Sequence, residues 1–233
     1  VKIVLKGVIS GLGRLLSVEI PQGSVILVTG AEGTLKSGLV FSMISNYLAA
    51  DGGHGLYVTL EQTKESHFKN MISLGLKKSD NLQIFDYRDM RREWRDCDLD
   101  MIKLTDEVID FYRDKHNDLT FFALDSLNAL YSLSEESNLR MQMYHFFSNL
   151  RERGLTSFLI MEVPPLKNPG QFQDRNRPEH FLADGTIELG VIEDKGGVKR
   201  YIQISKMRAA KHAMEKHQLM VDENGINILG PIY

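Results

Sequence analysis

A single cysteine, Cys97, leaves this 233-residue chain without a second thiol, so no disulfide can form within it. That usage suits a reducing compartment, and the expected location is the cytoplasm. No stretch of about 18 consecutive apolar residues is present, so no membrane-spanning helix is expected. The first residues lack the layout of a secretory leader. A formal net charge of −3 excludes a global basic field of the kind that advertises nucleic acid, though not a local basic channel. One tryptophan leaves little material for base-stacking platforms. Internal repeats, low-complexity tracts and linker-like stretches are missing too. Residues 1–233 are therefore expected to form one domain with a sizeable core.

What the chain does carry is Gly30-Ala31-Glu32-Gly33-Thr34-Leu35-Lys36-Ser37. This is the frame G-x-x-x-x-G-K-[ST] of a phosphate-binding loop, with Leu35 where the second glycine belongs. The flanks fit the frame. Ser24 to Thr29 is a short apolar, β-branched run that reads as a buried strand. From Ser37 to Leu48 apolar residues recur at helical spacing, and Asp51-Gly52-Gly53 stops the run. Backbone N–H groups of such a loop and of the helix behind it capture anions. Gly30, Gly33, Thr34, Lys36 and Ser37 are the candidate ATP-binding positions, with Lys36 reaching the β- and γ-phosphates and Ser37 ligating Mg²⁺. A glycine before the lysine lets the backbone approach the phosphate without a Cβ. Leu35 adds four carbons there, which predicts weaker binding or a shifted loop. The competing reading is an ordinary turn between strand and helix.

Further along, strands are expected at 55–60, 82–86, 120–125 and 157–162, and helices at 64–74, 101–116 and 135–153. A short helix is expected around Leu12 to Leu16. The crowded charges from Tyr87 to Asp100 alternate in sign and read as a solvated loop. Residues 167–178 read as a polar loop. Beyond it the pattern changes to strands at 185–191, 199–206, 218–221 and 225–229, with turn signals at Lys195-Gly196-Gly197 and Asn224-Gly225. Strands alternating with helices imply a parallel sheet, to which the last third adds antiparallel strands at one edge.

Ligands in open α/β sheets bind at the carboxyl ends of the strands, so strand-end acids carry weight. Asp125 closes an apolar strand and is a candidate for holding the Mg²⁺ shell. Its alternative is the N-cap of a following helix. Glu61, at the end of the neighbouring strand, is a candidate general base for the attacking water. Its alternative is a surface acid opening the next helix.

Four segments make the chain resemble the KaiC-like branch of the RecA/RadA superfamily of P-loop ATPases over nearly its whole length. Ile20-Pro21-Gln22-Gly23-Ser24 leads into the loop as that family's IPxGS does. Tyr57 to Gln62 resembles its YV-x-x-E-E segment, Leu124-Asp125-Ser126-Leu127 its Walker B strand, and Lys206-Met207-Arg208, followed by His212, its KMR motif. The resemblance implies an α/β, RecA-type core: a mostly parallel twisted sheet flanked by helices, with an antiparallel C-terminal extension. It also implies a homo-oligomeric ring, usually a hexamer, with active sites between subunits. Lys206 and Arg208 would then reach the γ-phosphate of the neighbouring subunit's ATP, the guanidinium acting as an arginine finger. Their competing reading is a basic strand edge.

The sequence departs from the family pattern at Leu35, at Glu32 in place of proline, and at Gln62 in place of the second glutamate. Glu32 and Leu35 both work against nucleotide affinity. Two functions compete: an ATP-dependent switch or slow ATPase acting on a partner protein, and a degenerate scaffold kept for its subunit interfaces. Nucleic-acid binding through Lys167, Arg175 and Arg177 is a third and weaker expectation.

Overall fold

The computed structural model describes residues 2–3, 5–93, 100–134, 138–164, 178–194, 197–223 and 225–232. In chain order these build β1 (Lys2–Ile3), α1 (Leu12–Leu15), β2 (Ile20–Pro21), β3 (Val25–Gly30), α2 (Lys36–Asp51), β4 (His54–Thr59) and α3 (Lys64–Ser73). Then come β5 (Leu82–Asp86), α4 (Tyr87–Glu93), α5 (Met101–Lys115), β6 (Leu119–Asp125), α6 (Leu127–Ser132), α7 (Leu139–Glu152) and β7 (Thr156–Glu162). The chain ends with α8 (Pro178–Leu182), β8 (Gly185–Asp194), β9 (Gly197–Met207), β10 (His217–Asp222) and β11 (Gly225–Pro231). β1 and β2 form a small antiparallel pair.

The main sheet has nine strands in the order β11-β10-β9-β8-β3-β7-β6-β4-β5. From β8 to β5 every neighbouring pair is parallel. β9, β10 and β11 extend it antiparallel. This is the expected α/β class, a mostly parallel sheet with an antiparallel C-terminal extension.

The two faces of the sheet explain why its central strands are apolar throughout. Side chains alternate across a strand. Ile26 and Val28 of β3 therefore join α2 residues such as Phe41 and Ile44 in one core. Val25 and Leu27 point the other way, into a second core with Val108 of α5 and Phe146 of α7. A strand covered on both faces needs a continuous hydrophobic run rather than an alternating one. Because β3 sits in the middle, its carboxyl end opens on a ridge flanked by β7 and β8, and the loop after it is held from both sides.

One expectation is corrected. The charged stretch after Tyr87 is not a solvated loop over its first half: Tyr87–Glu93 is helix α4, and Asp89 is buried. The Asp89 carboxylate accepts from Lys64 Nζ at 2.7 Å and from Arg92 at 3.0 Å, while Asp86 accepts from the backbone N–H of Lys64 and of Asp89. Asp89 thus anchors a charge network between α3, β5 and α4, while Arg88, Arg92 and Glu93 remain exposed. Residues 94–99 of that stretch, with Cys97, lie outside the described residues, as do Lys167, Arg175 and Arg177, and Asp100 caps α5. The helix expected from 135 starts at Leu139, with 135–137 likewise outside.

His67 of α3 is fully buried between Phe41 and Tyr57, with ring centroids 5.9 and 4.6 Å away. Neither ring nitrogen has a partner among the described residues. Burial alone pushes its pKa down to about 4. Below the ordinary histidine range the unfolded chain therefore binds a proton that the folded chain refuses. That contribution to stability is present at pH 7 and is lost as pH falls through 6.5 toward 4. At pH 5 the loss amounts to about 2 kcal/mol. Denaturant unfolding of the wild type and of His67→Phe between pH 7 and 5 checks this. The variant is expected to show a pH slope flatter by that amount, and identical slopes would refute the assignment.

Candidate functional site

β3 ends in Gly30, and the backbone there has no room for a side chain. A Cβ on Gly30 would stand 2.3 Å from the Leu189 carbonyl oxygen of β8 and 2.7 Å from Thr34 Oγ1. The loop then curls back on itself. Thr34 Oγ1 and Lys36 Nζ both donate to the Ala31 carbonyl, at 2.7 and 2.8 Å. Gly33 has φ 75°, and Leu35 has φ 74° and ψ 23°. Leu35 thus occupies the left-handed conformation that glycine adopts freely and that costs an L-residue about 1–2 kcal/mol. Its side chain is half-buried and packs on the core beneath α2. Burial of that side chain offsets the backbone cost. The first turn of α2 has no side-chain cap, which leaves its leading N–H groups available to an anion.

A cavity of about 300 Å³ lies against this loop. Leu35, Lys36, Ser37, Glu61, Asp125 and Glu162 are among the residues that line it. Gly33 also lines it, whereas Gly30 and Thr34 shape the loop from below. Asp125 is buried at the end of β6, and Tyr57 OH of β4 donates to its Oδ2 at 2.9 Å. Burial pushes the Asp125 carboxyl upward, while the Ser37 and Tyr57 hydroxyls and the Lys36 ammonium pull it down. Burial lowers the Lys36 ammonium, opposed by Glu162, Asp125, Glu61 and Glu32. The arrangement is a lone buried cation beneath a ring of acids, with a hydroxyl at the helix start. Such a donor set suits a hard divalent cation bridged to phosphate.

The cap alternative for Asp125 does not hold, whereas Glu61 is an exposed acid, as its alternative has it. The cap of α6 is Ser126, whose hydroxyl accepts from Ala129 N–H at 3.3 Å, so Asp125 is not the cap. The cap of α3 is Thr63, and Glu61 instead accepts a short hydrogen bond from the Ser126 hydroxyl. Glu162 was not anticipated, although it stands at the carboxyl end of β7 on the same signal that marked Asp125. Asn128 braces the backbone there, accepting from Glu162 N–H at 2.7 Å and donating to its carbonyl at 3.1 Å. Tyr57 carried no sequence signal as a partner of Asp125, because its reach across the sheet depends on strand order.

Lys206 and Arg208 do not line this cavity. Lys206 Nζ donates to the carbonyls of His180 and Ala183 at 2.8 and 2.6 Å. Arg208 donates to Asp184 Oδ1 and to the Phe181 carbonyl, both at 3.2 Å. Asp184 is a junction: its Oδ2 also accepts from Arg151 Nε at 2.9 Å and from Val25 N–H at 3.0 Å. A larger groove of about 850 Å³ runs between α3 and β5, past Phe68 and Ile72. It gathers none of the loop residues.

Comparison with known proteins bears on the family and the fold. The family model described as "ATPase: KaiC" matches residues 5–232. The circadian clock oscillator protein KaiC of Thermostichus vulcanus is 24% identical over 227 residues, covering 94% of this chain and 43% of that protein. The chain thus spans less than half the length of that relative. A UPF0273 protein of Methanopyrus kandleri is 26% identical over 245 residues, covering 94% of this chain and 89% of its own length. Among solved structures, a KaiC-like protein from the hyperthermophilic archaeon Pyrococcus horikoshii OT3 superposes with a TM-score of 0.72 at 26% identity. That match covers 99% of this chain and 98% of the other.

The tight approach at Gly30 yields a direct expectation. Gly30→Ala forces its new methyl into a backbone carbonyl, and should cost about 1–3 kcal/mol in a denaturant melt. A variant as stable as the wild type would show that β8 can yield.

Proposed function

The chain belongs to the KaiC family of ATPases, and from that premise we propose that residues 1–233 act as one Mg-dependent ATPase domain, a slow hydrolase or ATP-driven switch within a homo-oligomeric ring. The observation that carries the reading is the backbone at Leu35. It holds the turn a glycine would make, and its side chain packs onto the core beside the loop. The leucine that breaks the sequence motif is compatible with the motif's shape.

On this reading Lys36 exchanges its Ala31 carbonyl for phosphate oxygens, and the uncapped N–H groups of α2 bind the same anion. Ser37 and Asp125 would hold Mg²⁺, which when bound supplies charge neutralisation between the phosphate oxygens. Tyr57 orients Asp125. Glu61 is placed to accept a proton from water once Ser126 releases it. Lys206 and Arg208 act in trans, on the site of the next subunit, which fits their engagement away from the cavity of their own chain. A hexameric ring and a partner protein, rather than nucleic acid, complete the proposal.

A scaffold without hydrolysis is the second reading. It is favoured by the charge balance: Glu32, Glu61, Asp125 and Glu162 all bear on one buried lysine. A triphosphate without its cation would be repelled there.

Equilibrium titration with a labelled ATP analogue in Mg²⁺ separates the two readings. Lys36→Ala should weaken binding by at least about tenfold, and Leu35→Gly should tighten it by roughly fivefold, about 1 kcal/mol. Absence of wild-type binding at millimolar ligand would leave only the scaffold. The trans arrangement has its own check. Lys36→Ala and Arg208→Ala should each be inactive alone, yet mixed subunits should recover part of the hydrolysis, because one contributes the loop and the other the guanidinium. Mixtures as inactive as their components would rule that arrangement out.

A further inference from the structure

At the opposite end of the sheet from the loop, three side chains with metal-ligating atoms converge. His54 opens β4, His116 ends α5, and Asp118 lies in the turn into β6. One ligand atom from each lies within 4.8 Å of the others. The two imidazoles stack with centroids 4.0 Å apart, and His54 Nδ1 lies 2.7 Å from Asp118 Oδ1. We propose that His54, His116 and Asp118 bind one divalent transition-metal ion of the zinc class.

The backbone supports the cluster independently of its side chains. His54 N–H donates to the Asp118 carbonyl at 3.1 Å, Leu119 N–H to the His116 carbonyl at 3.0 Å, and His116 N–H to the Tyr112 carbonyl at 2.9 Å. The turn carrying Asp118 is pinned again by Thr120 Oγ1, which donates to the Asp118 carbonyl at 3.0 Å. Gly53, at φ 80°, passes so close that a Cβ would stand 2.9 Å from Thr120 Oγ1. The three ligand-bearing positions are thus fixed at the start of β4, at the end of α5 and in the hydrogen-bonded turn into β6.

The donor set selects the class of ion. Two imidazoles and one carboxylate suit Zn²⁺, Co²⁺, Ni²⁺ or Cu²⁺, whereas Mg²⁺ and Ca²⁺ take oxygen ligands. An ion with bonds of about 2.0 Å to a tetrahedral set needs ligand atoms about 3.3 Å apart. Stacked imidazoles cannot both aim a ring nitrogen at one ion, so binding requires the partly exposed His54 ring to turn out of the stack, with Asp118 following. Asp118 is exposed and the two histidines are partly exposed, so solvent can supply a water as the remaining ligand. On binding through Nδ1, the ion takes the place of the direct contact between His54 Nδ1 and Asp118 Oδ1, and the ring carries its proton on Nε2. β4 separates this site from the nucleotide cavity by about 17 Å of strand, so it serves a role other than phosphate chemistry.

The test is titration of the full chain with Zn²⁺ in excess Mg²⁺, which competes at the carboxylates around Lys36. One equivalent should bind. His116→Ala and Asp118→Ala should each lose at least about tenfold in affinity, with unchanged circular dichroism, while His145→Ala on the exposed face of α7 should bind as the wild type does. Cu²⁺ bound to the wild type should show electron paramagnetic resonance hyperfine structure from two imidazole nitrogens, a readout that needs no variant. Stoichiometric Zn²⁺ binding that survives His116→Ala, a spectrum without coupled nitrogen, or no binding at all would each overturn the assignment.

Discussion

The site is built around a left-handed turn made by a residue that resists it. Leu35 accepts φ 74° because its side chain gains a place on the core beside α2, and the turn in turn points the leading N–H groups of that helix away from any side-chain cap. If the backbone at 35 relaxed to a right-handed conformation, the helix would start earlier and the loop from Gly30 would lose its curl. The contacts of Thr34 and Lys36 with the Ala31 carbonyl both span that curl. The leucine in the motif thus has a place in the packing as well as in the turn.

Much of the fold was legible because central parallel strands must be apolar on both faces, and runs such as Val25 to Thr29 or Phe121 to Leu124 have no other comfortable state. Strand ends were legible for the same reason: an acid directly after such a run, as at Asp125, has to sit at the ridge. Legibility failed where a side chain's meaning depends on a neighbour distant in sequence. Tyr57 meets Asp125 because β4 lies beside β6. Alternating charges after Tyr87 looked like solvated surface until Lys64, from another helix, closed the network around Asp89. Glu162 carried the right signal and was not read as part of the site. Whether Asp125 is a metal ligand or a helix cap could not be settled from sequence either, and the cap proves to be Ser126. Both residue types cap well, and only the turn geometry decides.

Electrostatics at the two ends of the parallel strands are opposite in kind. The carboxyl ends gather hard oxygen ligands around one buried ammonium. The amino ends of β4 and β6 gather two imidazoles and a carboxylate. The two groupings are separated by the hydrophobic run of the strands.

Asp184 joins three parts of the chain through one carboxylate: the end of β9 through Arg208, the last turn of α7 through Arg151, and the first residue of β3 through the Val25 amide. β3 is the strand that ends in Gly30. A surface that engaged the Arg208 guanidinium would compete for the same carboxylate that anchors the root of the strand bearing the loop.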